Sequence, residues 1–161
     1  MFGIKTAAKN AVKALRAKEI LPVQKIVDSD RVLEGKVAFV AGGSGGIGMA
    51  VAEALLDSGA RVVLGGTKAE KLRACMEKLG HPERIAYVVM DVSNAEASNQ
   101  IVSEAKDAFG NIDIFVESTG VHTEGVNFWT ITPEEYDRVM SINLRGVFFL
   151  ARSVAQHMID S

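Results

Sequence analysis

The chain has 161 residues, 48% of them hydrophobic, and a formal net charge of -2. That length fits about one domain and that apolar content fits a real core, while the charge gives no reason to expect nucleic acid as a partner. Cys75 is the single cysteine, so neither a disulfide framework nor a thiol metal site is indicated, and His81, His122 and His157 are too scattered to form a ligand cluster. No apolar run approaches the roughly 18 residues of a membrane span, and the first residues lack a signal peptide's apolar segment. A cytoplasmic setting is therefore the expectation.

Residues 1–32 read as a helical extension and linker. Ile4, Ala7, Ala8, Ala11, Val12 and Leu15 form an apolar stripe, and Lys5, Lys9, Lys13, Arg16 and Lys18 make the other positions basic. Such a helix suits an acidic or membrane surface, but a docking or oligomer-contact helix with a solvated basic face is the preferred reading. Pro22 ends it, and Asp28-Ser-Asp30 has linker character.

Residues 33–161 read as a dinucleotide-binding domain. Val37-Ala-Phe-Val-Ala41 is a continuous apolar run, as in a parallel strand covered on both faces. Gly42, Gly43, Gly45, Gly46 and Gly48 follow, and from Met49 to Leu56 the pattern is helical. A helix starting there turns unpaired N–H groups and its positive dipole end towards the glycines, which suits a pyrophosphate. The glycines fit three registers. Gly43, Gly45 and Gly48 give G-x-G-x-x-G. Gly42, Gly46 and Gly48 give G-x-x-x-G-x-G. Gly42, Gly45 and Gly48 give G-x-x-G-x-x-G. No Gly-Lys-Ser/Thr follows, which argues against a P-loop.

Further along, Arg61-Val-Val-Leu64 predicts a second strand, and Thr67-Lys-Ala-Glu70 a capping box opening a helix to about Leu79. Ile85 to Met90 predicts a third strand, and Ser93-Asn-Ala-Glu96 a second capping box before a helix to about Phe109. Ile112 to Val116 predicts a fourth strand. Thr132-Pro-Glu-Glu135 is a third capping box, with proline at the first helical position, before a long helix to about Met158. Strand–helix alternation with short links implies right-handed crossovers and a Rossmann-like, doubly wound α/β fold with strand order 3-2-1-4. The ligand belongs beyond the carboxyl ends of strands one and four.

From about Leu33 onward these motifs resemble the first part of a short-chain dehydrogenase/reductase. The resemblance rests on Gly42, Gly46 and Gly48, and on Asp91-Val92. It also rests on Asp113-Ile-Phe-Val-Glu-Ser-Thr-Gly120 (similar to the family's D-I-L-V-N-N-A-G) and on the stretch from Ile131 to Leu150. It implies the second glycine register and disfavours a nucleotide-sugar epimerase or dehydratase, which usually has an aromatic where Gly46 stands. It implies an NAD(P)-dependent oxidoreductase that interconverts an alcohol and a carbonyl of a small-molecule substrate. The Asp91 side chain is expected at the adenine amino group and the Val92 backbone at the ring. The candidate cofactor-binding residues are Gly42, Ser44, Gly45, Gly46, Ile47, Gly48, Thr67, Lys68, Asp91, Val92, Ser118, Thr119 and Gly120, with Asn143 as the catalytic candidate.

The chain departs from the family pattern in three places. Ala41 replaces a threonine, and Glu117-Ser-Thr-Gly120 replaces N-N-A-G. Glu117 is expected to cap local N–H groups and to take no part in hydride transfer. The family's catalytic serine and Tyr-x-x-x-Lys are also missing, since the only tyrosines, Tyr87 and Tyr136, have Asp91 and Met140 four residues on. The chain is thus expected to be the cofactor-binding half of a longer enzyme, or else a non-catalytic nucleotide-binding or assembly subunit. Alone, it is expected to self-associate, or to need a partner supplying strands, through strand four and Val147, Phe148, Phe149, Leu150, Val154 and Met158. Strand two ends in Gly65-Gly66-Thr67 without a carboxylate, and Lys68 follows, so the cofactor leans to NADP over NAD.

Overall fold

The structure, a computed structural model, describes residues 31–161 apart from 124 and 126. The amphipathic stripe and linker expected over the first thirty residues lie outside the described residues.

Four strands form a parallel sheet: β1 (Val37–Ala41), β2 (Arg61–Gly66), β3 (Ile85–Val89) and β4 (Ile114–Glu117). Their order is β3-β2-β1-β4, as the alternation of patterns predicted. Helices α1 (Gly46–Asp57) and α2 (Ala69–Leu79) follow β1 and β2. Helix α3 (Ser98–Phe109) follows β3, and α4 (Pro133–Met140) and α5 (Val147–Asp160) follow β4.

Strand residues alternate between two cores. Ala38, Val40, Val62 and Leu64 pack with Ala52 and Leu56 of α1 and Leu72 of α2. Phe39, Ala41, Val63 and Val88 face the other way and pack with Ile101, Val102 and Ala105 of α3 and Leu150 and Val154 of α5. Phe39 and Phe115 meet across β1 and β4 with ring centroids 5.6 Å apart. Asp113 fixes the register of these strands at their start. Its Oδ1 accepts from Lys36 Nζ at 2.7 Å and its Oδ2 from the Val37 N–H at 2.9 Å.

Several boundaries differ from the sequence reading. β2 extends through Gly66, β3 ends at Val89, and β4 is shifted towards Glu117. α1 begins at Gly46, because a glycine-rich first turn carries no apolar signal yet adopts helical geometry. Of the three expected capping boxes only the third forms. There the Glu135 N–H donates to Thr132 Oγ1 at 3.2 Å and the Thr132 N–H to Glu135 Oε2 at 3.1 Å. α2 is capped at Lys68, with no side-chain cap from Thr67. Before α3 a short 3-10 turn (Ala95–Ala97) intervenes, and the Ser93 hydroxyl donates to Asp91 Oδ1. The long final helix is broken by a π-helical turn at Ser141–Gly146. Leu150 and Val154, placed in the expected association surface, are core residues instead, because α5 lies against α3 and β4; Phe148 stays exposed.

Candidate functional site

A cleft of about 250 Å³ opens beyond the carboxyl ends of β1, β2 and β4, where the strand order reverses. Gly42, Ser44 and Gly45 line it from the first turn, Gly66 and Thr67 from the end of β2, and Met90, Asp91 and Val92 from the end of β3. Ser118, Thr119, Gly120 and Val121 line it from the end of β4, and Ile142 from the π-helical turn. Most of the predicted residues are therefore brought together, but Gly46, Ile47 and Gly48 do not line this cleft; Gly46 and Ile47 border an open groove along α1 with Ala50 and Val51.

The N-terminus of α1 stands at this cleft. Gly45 is its N-cap, no side chain caps it, and no acidic residue sits in its first turn. Its first N–H groups and positive dipole end are thus left for an anion. The glycines divide by what a Cβ would meet. At Gly42 (φ 74°) it would lie 2.7 Å from the Ser118–Thr119 backbone, and at Gly43 2.8 Å from Leu64 Cδ2. At Gly48 it would strike the Gly42 carbonyl and sit 2.6 Å from Ser118 Oγ. At Gly46 it would meet nothing within 4 Å. Packing accounts for glycine at the first three positions but not at Gly46. Ile47, one residue on, is 76% exposed.

The wall from β4 is pinned at three points. The Ser118 hydroxyl donates to the Ala41 carbonyl at 2.7 Å. Glu117 Oε1 accepts from the Thr119 N–H at 2.6 Å, the local capping expected of it. Asn143, in the π-helical turn, clamps Val121 from both sides: its Oδ1 accepts from the Val121 N–H at 2.8 Å and its Nδ2 donates to the Val121 carbonyl at 2.7 Å. Asn143 thus touches the cleft through Val121 and does not line it. Asp91 Oδ1 accepts from the Ser93 N–H and hydroxyl at 2.9 and 2.7 Å, which leaves Oδ2 to accept another donor.

Lys68 caps α2 and is not among the residues lining the cleft. The sequence reading did not include Gly66, Met90, Val121 and Ile142, which reach the cleft only through the way the turns fold. It also missed Gly146, where a Cβ would strike the Val92 carbonyl, so the π-helical turn approaches the turn after β3 backbone to backbone. A glycine inside a helical pattern was the available signal. Neither tyrosine lines the cleft. The Tyr87 hydroxyl accepts from Arg73 Nε at 3.1 Å, and Tyr136 is 57% exposed on α4.

The family model for short chain dehydrogenases matches residues 36–161. The chain belongs to the short-chain dehydrogenase family. Versicolorin reductase 1 of Aspergillus parasiticus is 38% identical over 128 residues, which are 78% of this chain and 48% of that protein. An NADP-dependent (R)-specific alcohol dehydrogenase of Lentilactobacillus kefiri is 33% identical, over 78% of this chain and 50% of that protein. A solved short-chain dehydrogenase/reductase from Brucella melitensis superposes with a TM-score of 0.74 at 36% identity, covering 80% of this chain and 54% of that one. The chain spans about half the length of the curated short-chain dehydrogenases it matches. No described helix is long and apolar enough to cross a membrane.

The cleft suits the dinucleotide that family membership implies. It offers an uncapped helix end at Gly45, an acceptor at Asp91 and a run of small residues from Ser118 to Gly120.

Proposed function

We propose that this chain binds a nicotinamide dinucleotide and forms the cofactor-binding part of an NAD(P)-dependent oxidoreductase that interconverts alcohols and carbonyls. The observation that carries the reading is the N-terminus of α1, which no side chain caps and whose N-cap, Gly45, lines the cleft at the strand switch. The N–H groups around Gly46 and Ile47 take the diphosphate, Asp91 and Val92 the adenine, and Ser118 to Gly120 the far side of the crevice. Asn143 keeps that far side in place by clamping Val121. When bound, the nicotinamide ring supplies or accepts the hydride.

NADP is the preferred cofactor. β2 ends in Gly65 and Gly66, followed by Thr67, so no carboxylate repels a 2′-phosphate, and the Lentilactobacillus relative is named as NADP-dependent. Lys68, at the start of α2, is the nearest cation along the chain. Titration calorimetry with both cofactors tests this. NADP is expected to bind more tightly, and Lys68→Ala to weaken NADP about five- to tenfold while sparing NAD, roughly 1 to 1.4 kcal/mol. A preference for NAD would refute the assignment.

A second reading, a non-catalytic nucleotide-binding subunit, is favoured by one observation: both tyrosines stand outside the cleft, and Tyr87 is engaged by Arg73. Carbonyl-dependent oxidation of NADPH by the purified chain would exclude it.

A further inference from the structure

Glu117 has bonding capacity that its local capping role leaves unused. It ends β4, opposite Ala41 of β1, and its Oε1 is committed to the Thr119 N–H. Its Oε2 is buried and has no hydrogen-bond partner among the described residues, and the same holds for Thr119 Oγ1. None of the ion pairs among the described residues includes Glu117. No described cation pairs with this carboxylate, so its charge is not offset locally. Glu117 does not itself line the cleft, but it stands directly behind the wall formed by the next three residues, Ser118 to Gly120.

In a doubly wound sheet the dinucleotide crosses the crevice at the strand switch. Thr67, Asp91 and Val92 line the cleft from the ends of β2 and β3, and on the cofactor reading they take the adenosine side. The nicotinamide half then falls on the β4 side, near Glu117. The two redox forms of the cofactor differ there by one charge: the oxidised ring is a cation and the reduced ring is neutral.

We propose that Glu117 is a specificity-determining residue that makes the site prefer the oxidised dinucleotide over the reduced one. The inference rests on the cofactor reading above. The uncompensated carboxylate gains a counter-cation when the oxidised form binds and none when the reduced form binds. Preferential hold of the oxidised form lowers the midpoint potential of the bound couple. The motif this segment resembles has asparagine at this position, so the bias belongs to the Glu117 substitution and not to the fold.

The test is the ratio of dissociation constants, reduced over oxidised, measured by calorimetry on the full chain and on Glu117→Gln. Glutamine keeps an oxygen for the Thr119 N–H and removes the charge. Removing one charge from the nicotinamide side of the site predicts that the ratio falls several-fold. Affinity for adenosine diphosphate ribose, which lacks the ring, should not change. If the chain binds neither form, the cofactor reading fails. If it binds both and the ratio is the same in Glu117→Gln, this inference fails and the cofactor reading stands. Should Glu117→Gln not fold, Glu117→Asn provides the same comparison. In the unaltered chain, tighter binding of the reduced form would overturn the proposal as well.

Discussion

Replacing Gly46 and Gly48 in turn by alanine separates a glycine kept for a ligand from one kept for packing. Both lie in the first turn of α1. At Gly46 a Cβ meets nothing within 4 Å, and the residue has no positive φ. Gly46→Ala therefore removes only glycine's entropic penalty in a helix and is expected to leave stability unchanged or raise it by up to about 1 kcal/mol. On the proposed placement of the diphosphate against the α1 N-terminus, the added methyl group would crowd it. Dinucleotide affinity should fall at least about tenfold, roughly 1.4 kcal/mol. At Gly48 the Cβ strikes the Gly42 carbonyl and crowds Ser118 Oγ at 2.6 Å, so β1, its turn and the β4 wall must all shift. Overpacking of this kind costs about 1–3 kcal/mol, and Gly48→Ala should lose stability and affinity together. Urea unfolding with calorimetry on the same samples reads both quantities. Unimpaired dinucleotide binding by Gly46→Ala would refute the placement of the diphosphate at α1.

Asn143→Ala should cost about 1–2 kcal/mol in urea unfolding, because it removes both bonds to Val121; Asn143→Asp should recover part of that, since it still accepts from the Val121 N–H. Asp113 gives a pH signature. The Lys36 ammonium and then the Val37 N–H hold its carboxyl below the ordinary value of 3.8. A lowered folded-state value means that this contribution is present above about pH 4 and lost as pH falls through the lowered value. Asp113→Asn should therefore be less stable than the unaltered chain at neutral pH, with the gap closing under acid; a gap independent of pH would refute the role. Phe148 and Leu144, 62% and 58% exposed, should drive self-association at tens of micromolar. Sedimentation of Phe148→Asp as a smaller species than the unaltered chain would support this, and identical sedimentation would count against it.

The sheet was legible because each parallel strand is apolar on both faces and the two periodicities alternate cleanly. The cleft was legible for a related reason: its residues sit at strand ends, which the apolar runs mark. Capping was legible only where nothing competed. Thr132 forms its box, whereas Ser93 is diverted to Asp91 two residues earlier, and Thr67 is passed over because α2 is capped one residue later, at Lys68. The π-helical turn that presents Asn143 leaves no mark in hydrophobic periodicity. It depends on Gly146 meeting the Val92 backbone, a contact between residues far apart in the chain. Likewise, the burial of Leu150 and Val154 depends on how α5 settles against α3, which local pattern does not determine.

The two substitutions at the ends of β1 and β4 make physical sense as a pair. Ala41 and Glu117 are Cα partners in the parallel register, so their side chains leave the sheet on the same face. Ala41 is fully buried, and its carbonyl accepts the Ser118 hydroxyl. Threonine at position 41, as in the motif this segment resembles, would put a branched side chain where the alanine is already fully buried beside Glu117. Ala41→Thr alone is therefore expected to destabilise the fold by about 1–3 kcal/mol through overpacking. Glu117→Asn shortens the neighbour and removes its charge, so in the double variant part of that loss should return. Contacting residues of this kind typically couple by about 0.5–3 kcal/mol. A double-mutant cycle in urea that proved additive to within about 0.3 kcal/mol would show that the two positions changed independently.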